Sequence, residues 1–181
     1  MKLILTGAQG TGKSTVLNEF EKMGWNVITE VVRKMAKDGI KINEFGDTEG
    51  QVKIFETYKE LLGEGEYISD RGLTDVAAYT WYLVNKDKIH PSVLWEQLQD
   101  IDEFFEKNPD ALVCYFPIEF PLVNDGVRSM NEHFRKDIDG NIKSILELRE
   151  IPFITVTGTV EERVQQITDE INKRKQCFNA I

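Results

Sequence analysis

A chain of 181 residues, 41% hydrophobic and 29% charged, carries enough apolar material for one domain with a substantial core. Its 31 acidic against 22 basic residues give a net charge of -9, a field that repels polyanions and argues against a duplex-binding surface, although a few local cations can still hold a small anion. Cys114 and Cys177 have neither metal-type spacing nor the look of a disulfide framework, and no apolar run approaches the ~20 residues that cross a bilayer, so a cytoplasmic protein without signal peptide or membrane span is expected.

In chain order, the apolar run KLILT predicts a first strand over Lys2–Thr6. Gly7-Ala8-Gln9-Gly10-Thr11-Gly12-Lys13-Ser14 follows and opens a helix expected over Lys13–Met23. That octet has the form GxxxxGK[ST] between a strand and a helix, the context its chemistry requires: glycines let successive N–H groups curl inward, and the helix N-terminus adds partial positive charge. Gly7, Gln9, Gly10, Thr11 and Gly12 would cradle the phosphates of a nucleoside triphosphate, and Lys13 would reach the β- and γ-phosphates. Ser14 would ligate Mg²⁺, with Thr15 supporting the turn. A second strand is expected over Asn26–Thr29 and a helix over Glu30–Lys37, which puts Glu30 at a strand end as a candidate proton acceptor or a helix-start carboxylate.

The next helix, Asp47–Leu62, begins with DTEGQ, which looks like the DxxGQ switch of Ras-like GTPases, and Asn85-Lys86 looks like the start of their NKxD. Both contexts fail, because KINEFG before Asp47 is polar and glycine-broken where an apolar strand is needed, and Lys88 stands where a carboxylate must bond guanine. A strand over Glu66–Ser69 then delivers Asp70 and Arg71 to its carboxyl end, the edge at which open α/β sheets bind ligands. There Asp70 would hold a water on Mg²⁺ and Arg71, with its planar fork, a phosphate or the reacting end of an acceptor. In the helix over Leu73–Asn85, Asp75 and Tyr79 share one side, and Trp81 and Tyr82 are core candidates.

Pro91 starts a helix running to Lys107, a strand follows over Ala111–Phe116, and Pro117-Ile118 stand where a Walker-B acidic pair would end it. Segment 124–139 places Arg128 and Arg135 seven residues apart, about two helical turns, beside a helix expected over Asn131–Arg149. Phe153–Thr157 and Val160–Lys173 complete the series as strand and helix. Alternating strands and helices, without repeats or linker-like composition, predict a single α/β domain over 1–181 with a five-stranded parallel sheet between helical layers.

The DRG of Asp70–Gly72 followed by DVAAYT resembles the corresponding region of thymidylate kinase and the ERS region of deoxynucleoside kinases. A closer resemblance is to NadR-like AAA-type P-loop kinases, many of them phage-encoded. Their Glu-x-x-Arg, DRG, DGxR and late G-x-x-x-x-R are matched in order by Glu30–Arg33, Asp70–Gly72, Asp125–Arg128 and Gly158–Arg163. The resemblance implies strand order 2-3-1-4-5 and transfer of a phosphoryl group from ATP with Mg²⁺ to a small nucleoside or nucleotide. It also implies Arg33 at the acceptor, Gln51 reading its base, and a lid over 124–139 whose Arg128 and Arg135 close on the triphosphate. Arg163 is implied near the donor base or capping the cleft. Four matters stay open: deoxynucleoside monophosphate against hydroxyl acceptor, nicotinamide riboside included; ATP against GTP; assembly as a homodimer; and a hydrolytic switch or motor using the same cradle.

Overall fold

Thirteen elements alternate along the residues described by this computed structural model, 1–123, 126 and 129–178, with 177 and 178 described as backbone only. In chain order they are β1 (Lys2–Thr6), α1 (Lys13–Lys22), β2 (Val27–Ile28), α2 (Val31–Lys37), a 3₁₀ turn (Asn43–Phe45), α3 (Thr48–Leu61) and β3 (Tyr67–Asp70). Then come α4 (Leu73–Val84), α5 (Pro91–Lys107), β4 (Leu112–Tyr115), α6 (Glu132–Leu148), β5 (Phe153–Thr155) and α7 (Val160–Phe178). All strand pairs are parallel, in the expected order β2-β3-β1-β4-β5.

The order follows from burial. β1 and β4 are buried along their whole length and β3 up to Asp70, because helices cover both faces of the sheet centre. One core packs α3, α4, α5 and α6 on one face through Ile54, Phe55, Val76, Ile101, Phe134 and Ile138. The other packs α1 and α7 through Val16, Leu17, Phe20, Ile167 and Ile171. With β1 between β3 and β4, the chain leaves the sheet centre in opposite directions, and the crevice this creates opens at the carboxyl ends of the strands. Leu5 pairs with Asp70 and Thr6 with Tyr115, so three loops leave the sheet together.

Expected and observed boundaries differ chiefly at the sheet edges. β2 and β5 are shorter than their apolar runs, since an edge strand has a ladder on one side only. α7 continues five residues past Lys173. Asp47 is a helix cap: its carboxylate accepts from the Gly50 N–H at 3.0 Å and from Lys41 Nζ at 2.8 Å, so DTEGQ starts α3. Asn131 caps α6 by accepting from the N–H groups of His133 and Phe134. That cap starts the helix at Glu132; Asp125 and Arg128, and with them the expected relation of Arg128 to Arg135, lie outside the described residues. Among the described residues no helix is long and apolar enough to cross a membrane. Cys114 is buried in β4, where burial pushes its thiol pKa up.

Candidate active site

The loop after β1 bends where a side chain has no room. Gly7 has φ 142°, and a Cβ there would stand 2.4 Å from the carbonyl oxygen of Phe116; Gly12, at φ 89°, would push one to 2.8 Å from the Arg163 guanidinium. Only glycine suits both positions. Lys13 opens α1 with 5% of its surface exposed, and its ammonium donates to the Gly7 and Ala8 carbonyls at 2.7 and 2.8 Å and to Thr11 Oγ1 at 3.2 Å.

Two neighbouring strands bring their ends to this loop. Ser14 Oγ donates to Asp70 Oδ2 at 2.8 Å, while Asp70 Oδ1 is buried with no hydrogen-bond partner among the described residues. Such an orphaned oxygen beside a hydroxyl is a hard-donor arrangement that fits Mg²⁺ or a water on it. Asp75, fully buried in the first turn of α4, accepts from the N–H groups of Gly72 at 2.9 Å and Gly7 at 3.3 Å and so ties the DRG turn to the phosphate loop. Burial raises the pKa of its carboxyl, against the opposing pull of Arg71 and Lys13.

Arg71 lies 5.3 Å over the Tyr79 ring and donates to its hydroxyl at 3.2 Å. Burial works against its charge, and the neighbouring Tyr79, Asp75 and Asp70 more than offset that, so it stays a cation. Tyr58 donates to the Asp70 carbonyl at 3.1 Å, with its phenol pKa raised by burial. Past the end of the neighbouring β2, Glu30 is the residue preceding α2, in the left-handed region at φ 60°, and pairs with Arg33 at 3.5 Å. Arg71 also has positive φ, 80°. Asn43, at φ 56°, lines the same cleft, so three of the five described non-glycine residues with positive φ gather there, in keeping with the clustering of backbone strain at functional positions.

The cleft has a volume of about 890 Å³, a size that suits a nucleotide and a small second substrate. The loop from Gln9 to Thr15 forms its floor; Glu30, Arg33, Asp70 and Arg71 stand at one end, and Glu119, Phe120 and Gly158–Arg163 at the other. Gln51 is absent from this wall. It is 2% exposed between α3 and α4, where its Oε1 accepts from Thr80 Oγ1 at 3.3 Å, so the expectation of a base-reading amide is corrected to an interior one. Arg135, 1% exposed, donates to the carbonyls of Gln9, Gly10 and Phe120. Arg163, also 1% exposed, donates to the carbonyls of Thr11 and Gly158, pairs with Glu119, and packs between the Phe116 and Phe120 rings. Arg163 belongs to the wall, whereas Arg135 stands behind the phosphate loop, so the expectation that it closes on the triphosphate is corrected.

Sequence reasoning passes over Tyr58, Glu119 and Phe120. A rule restricted to acidic residues at the strand end stops at Ile118, whereas extending it by one loop turn reaches Glu119, which also accepts from the Gly158 N–H at 3.3 Å. Tyr58 carries no signal of its own, because an aromatic on an amphipathic helix reads as core.

The AAA domain family model AAA_28 matches residues 2–163. The chain belongs to this AAA domain family. Glu30–Arg33, Asp70–Gly72 and Gly158–Arg163 all fall inside the matched stretch. No curated protein sequence matches the chain. Among solved structures, the AAA domain is similar to the YorR protein of Bacillus subtilis in complex with phosphorylated GDP, at 18% identity and TM-score 0.66, covering 97% of this chain and 98% of that one. Deoxyadenosine kinase from M. mycoides, with products dCMP and dCDP, gives 16% identity and TM-score 0.65 over 96% and 99%. NadR in complex with NR gives 16% and 0.63 over 96% of this chain and 51% of that one. At such identities the shared property is the fold.

Proposed function

We propose that this AAA domain protein is a P-loop kinase that transfers a phosphoryl group from ATP, with Mg²⁺, to a small nucleoside or nucleotide. The observation that carries the reading is the joining of two half-sites in one cleft: the phosphate loop with Ser14 and Asp70, and beside them a carboxylate and two guanidiniums at Glu30, Arg33 and Arg71. The names of the similar structures, a deoxyadenosine kinase and a protein bound to NR, support a nucleoside-like acceptor.

In this reading the inward N–H groups of the loop bind the β- and γ-phosphates, and Lys13 exchanges the Gly7 and Ala8 carbonyls for a phosphate oxygen. Ser14 and Asp70 hold Mg²⁺, which when bound neutralises charge on the phosphates. Glu30 takes the proton from an acceptor hydroxyl, with Arg33 orienting its carboxylate at 3.5 Å, and Arg71 presents its fork to the acceptor. Of the expected lid over 124–139, residues 132–139 are instead the start of α6, buried at Phe134, Arg135 and Ile138; Arg128 keeps its proposed role at the transferring phosphoryl. The donor base lies by the turn at Gly158. The GTPase look of DTEGQ has no support in the fold, since Asp47 caps α3.

Glu30→Gln against Arg71→Lys separates the acceptor classes. With a hydroxyl acceptor, Glu30→Gln lowers kcat roughly 10²- to 10⁴-fold, because the amide keeps the shape and cannot take a proton. With a monophosphate acceptor, already ionised at neutral pH, Arg71→Lys does the greater damage, because an ammonium cannot replace a bidentate fork. Steady-state kinetics with the best acceptor from a panel of nucleosides and monophosphates, at saturating ATP and Mg²⁺, makes the comparison. Two unaffected variants would remove both residues from the acceptor site.

A further inference from the structure

Five consecutive carbonyls of the phosphate loop, Gly7 to Thr11, each accept from a cationic side chain. Lys13 holds Gly7 and Ala8 at 2.7 and 2.8 Å; Arg135 holds Gln9 at 2.9 Å through Nε and Gly10 at 3.1 Å through its terminal nitrogen; Arg163 holds Thr11 at 2.6 Å. In a trans peptide the C=O of one residue and the N–H of the next point in opposite directions. Fixing the carbonyls of Gln9, Gly10 and Thr11 outward therefore aims the N–H groups of Gly10, Thr11 and Gly12 toward the cleft. We propose that Arg135 and Arg163 are positioning residues that brace the phosphate loop from its two flanks and keep its amides turned to the triphosphate before any nucleotide arrives. The proposal rests on the phosphate-binding reading of this loop.

The anchoring of the two guanidiniums distinguishes them from Lys13. Lys13 must release its two carbonyls to reach a phosphate, which leaves the arginines as the standing support of the remaining three. Arg135 is fixed further by the Phe120 carbonyl at 2.8 Å and Glu132 at 3.4 Å, and Arg163 by the Gly158 carbonyl at 2.9 Å and Glu119. The two halves meet at Phe120, whose carbonyl takes Arg135 and whose ring lies 5.0 Å from Arg163. At 1% exposure each, the guanidiniums have little surface to offer a ligand directly, yet their charge adds to the positive field behind the loop. Lysine at either position keeps the charge and loses the fork that spans several carbonyls.

Arg135→Lys and Arg163→Lys in the full chain are compared with the parent by titration calorimetry against Mg-ATP and against tripolyphosphate, which has no base. A brace predicts that each variant loses affinity for both ligands by the same factor, about tenfold, the worth of one buried charge-assisted hydrogen bond. It also predicts faster amide exchange in Ala8–Gly12 of the ligand-free variants, without a matching change in the core strands. Loss confined to ATP in Arg163→Lys would make that residue a base contact and overturn its part in the brace. Unchanged affinity for both ligands with a fallen kcat in Arg135→Lys would return it to the transition state. If the parent binds neither ligand, the phosphate reading fails, and the exchange comparison still decides the brace. Should a lysine variant not fold, Glu119→Gln leaves both arginines in place and frees Arg163; a smaller, equal loss for both ligands is expected, and a loss for ATP alone contradicts the proposal.

Discussion

Removing the Lys13 ammonium takes a donor from two buried carbonyls as well as a charge from the cleft. Lys13→Ala is therefore expected to abolish phosphoryl transfer and also to lower stability by about 1–3 kcal/mol, the cost of leaving the buried Gly7 carbonyl unmet, since the Ala8 carbonyl keeps Thr11 Oγ1. Urea unfolding beside an activity assay checks both, and retained turnover within a few-fold of the parent would sink the site. Gln51 gives the opposite contrast. Its amide sits between α3 and α4, so Gln51→Ala should cost roughly 1–3 kcal/mol of stability while leaving the order of preferred acceptors unchanged. At this scale legibility depended on whether a residue's role is written in a local pattern. GAQGTGKS carries its geometry in its own spacing, and so the loop residues were readable. Gln51, Arg135 and Arg163 have roles set by what lies across the fold, at sequence separations of 29, 126 and 152 residues.

The strand-loop-helix unit of β1 and α1 depends on a backbone approach that one methyl would block. Gly7→Ala combines a 2.4 Å contact to the Phe116 carbonyl with φ 142°, and should destabilise by at least about 2 kcal/mol, seen as a lowered urea midpoint. The α4 N-terminus carries a pH dependence. Because burial raises the folded pKa of Asp75 above its unfolded value, the native state binds more protons than the unfolded one in that window. Its contribution is full below the unfolded pKa, near ~4, and is lost as pH rises through the folded value. Asp75→Asn should flatten that fall of stability with pH in denaturation curves taken from acid to neutral conditions; an unchanged slope would remove Asp75 as its source. Most elements were legible from period and punctuation, including the start of α5 at Pro91. The edge strands were overestimated because an apolar run does not reveal how many neighbours it will have. The start of α6 was placed one residue early, because Asn131 caps the helix rather than entering it.

At the scale of the molecule, a net charge of -9 surrounds a cleft in which Lys13, Arg33, Arg71 and Arg163 stand among Glu30, Asp70, Glu119, Glu161 and Glu162. A small anionic ligand is then held by a few aimed groups, in a crevice fixed by strand order rather than by overall charge. Strand order was readable from the alternation of elements together with the family resemblance, since parallel strands need crossovers and the phosphate loop follows the first strand. The central claim is transfer itself. The most direct measurement is to incubate the protein with Mg-ATP and a panel of nucleosides and nucleoside monophosphates and follow each acceptor by mass spectrometry, with Lys13→Ala as control. At least one acceptor is expected to gain the mass of a single phosphoryl group, with ADP formed in step with it, and the variant to yield neither. ADP release that no acceptor on the panel accelerates, with every acceptor mass unchanged, would contradict that claim.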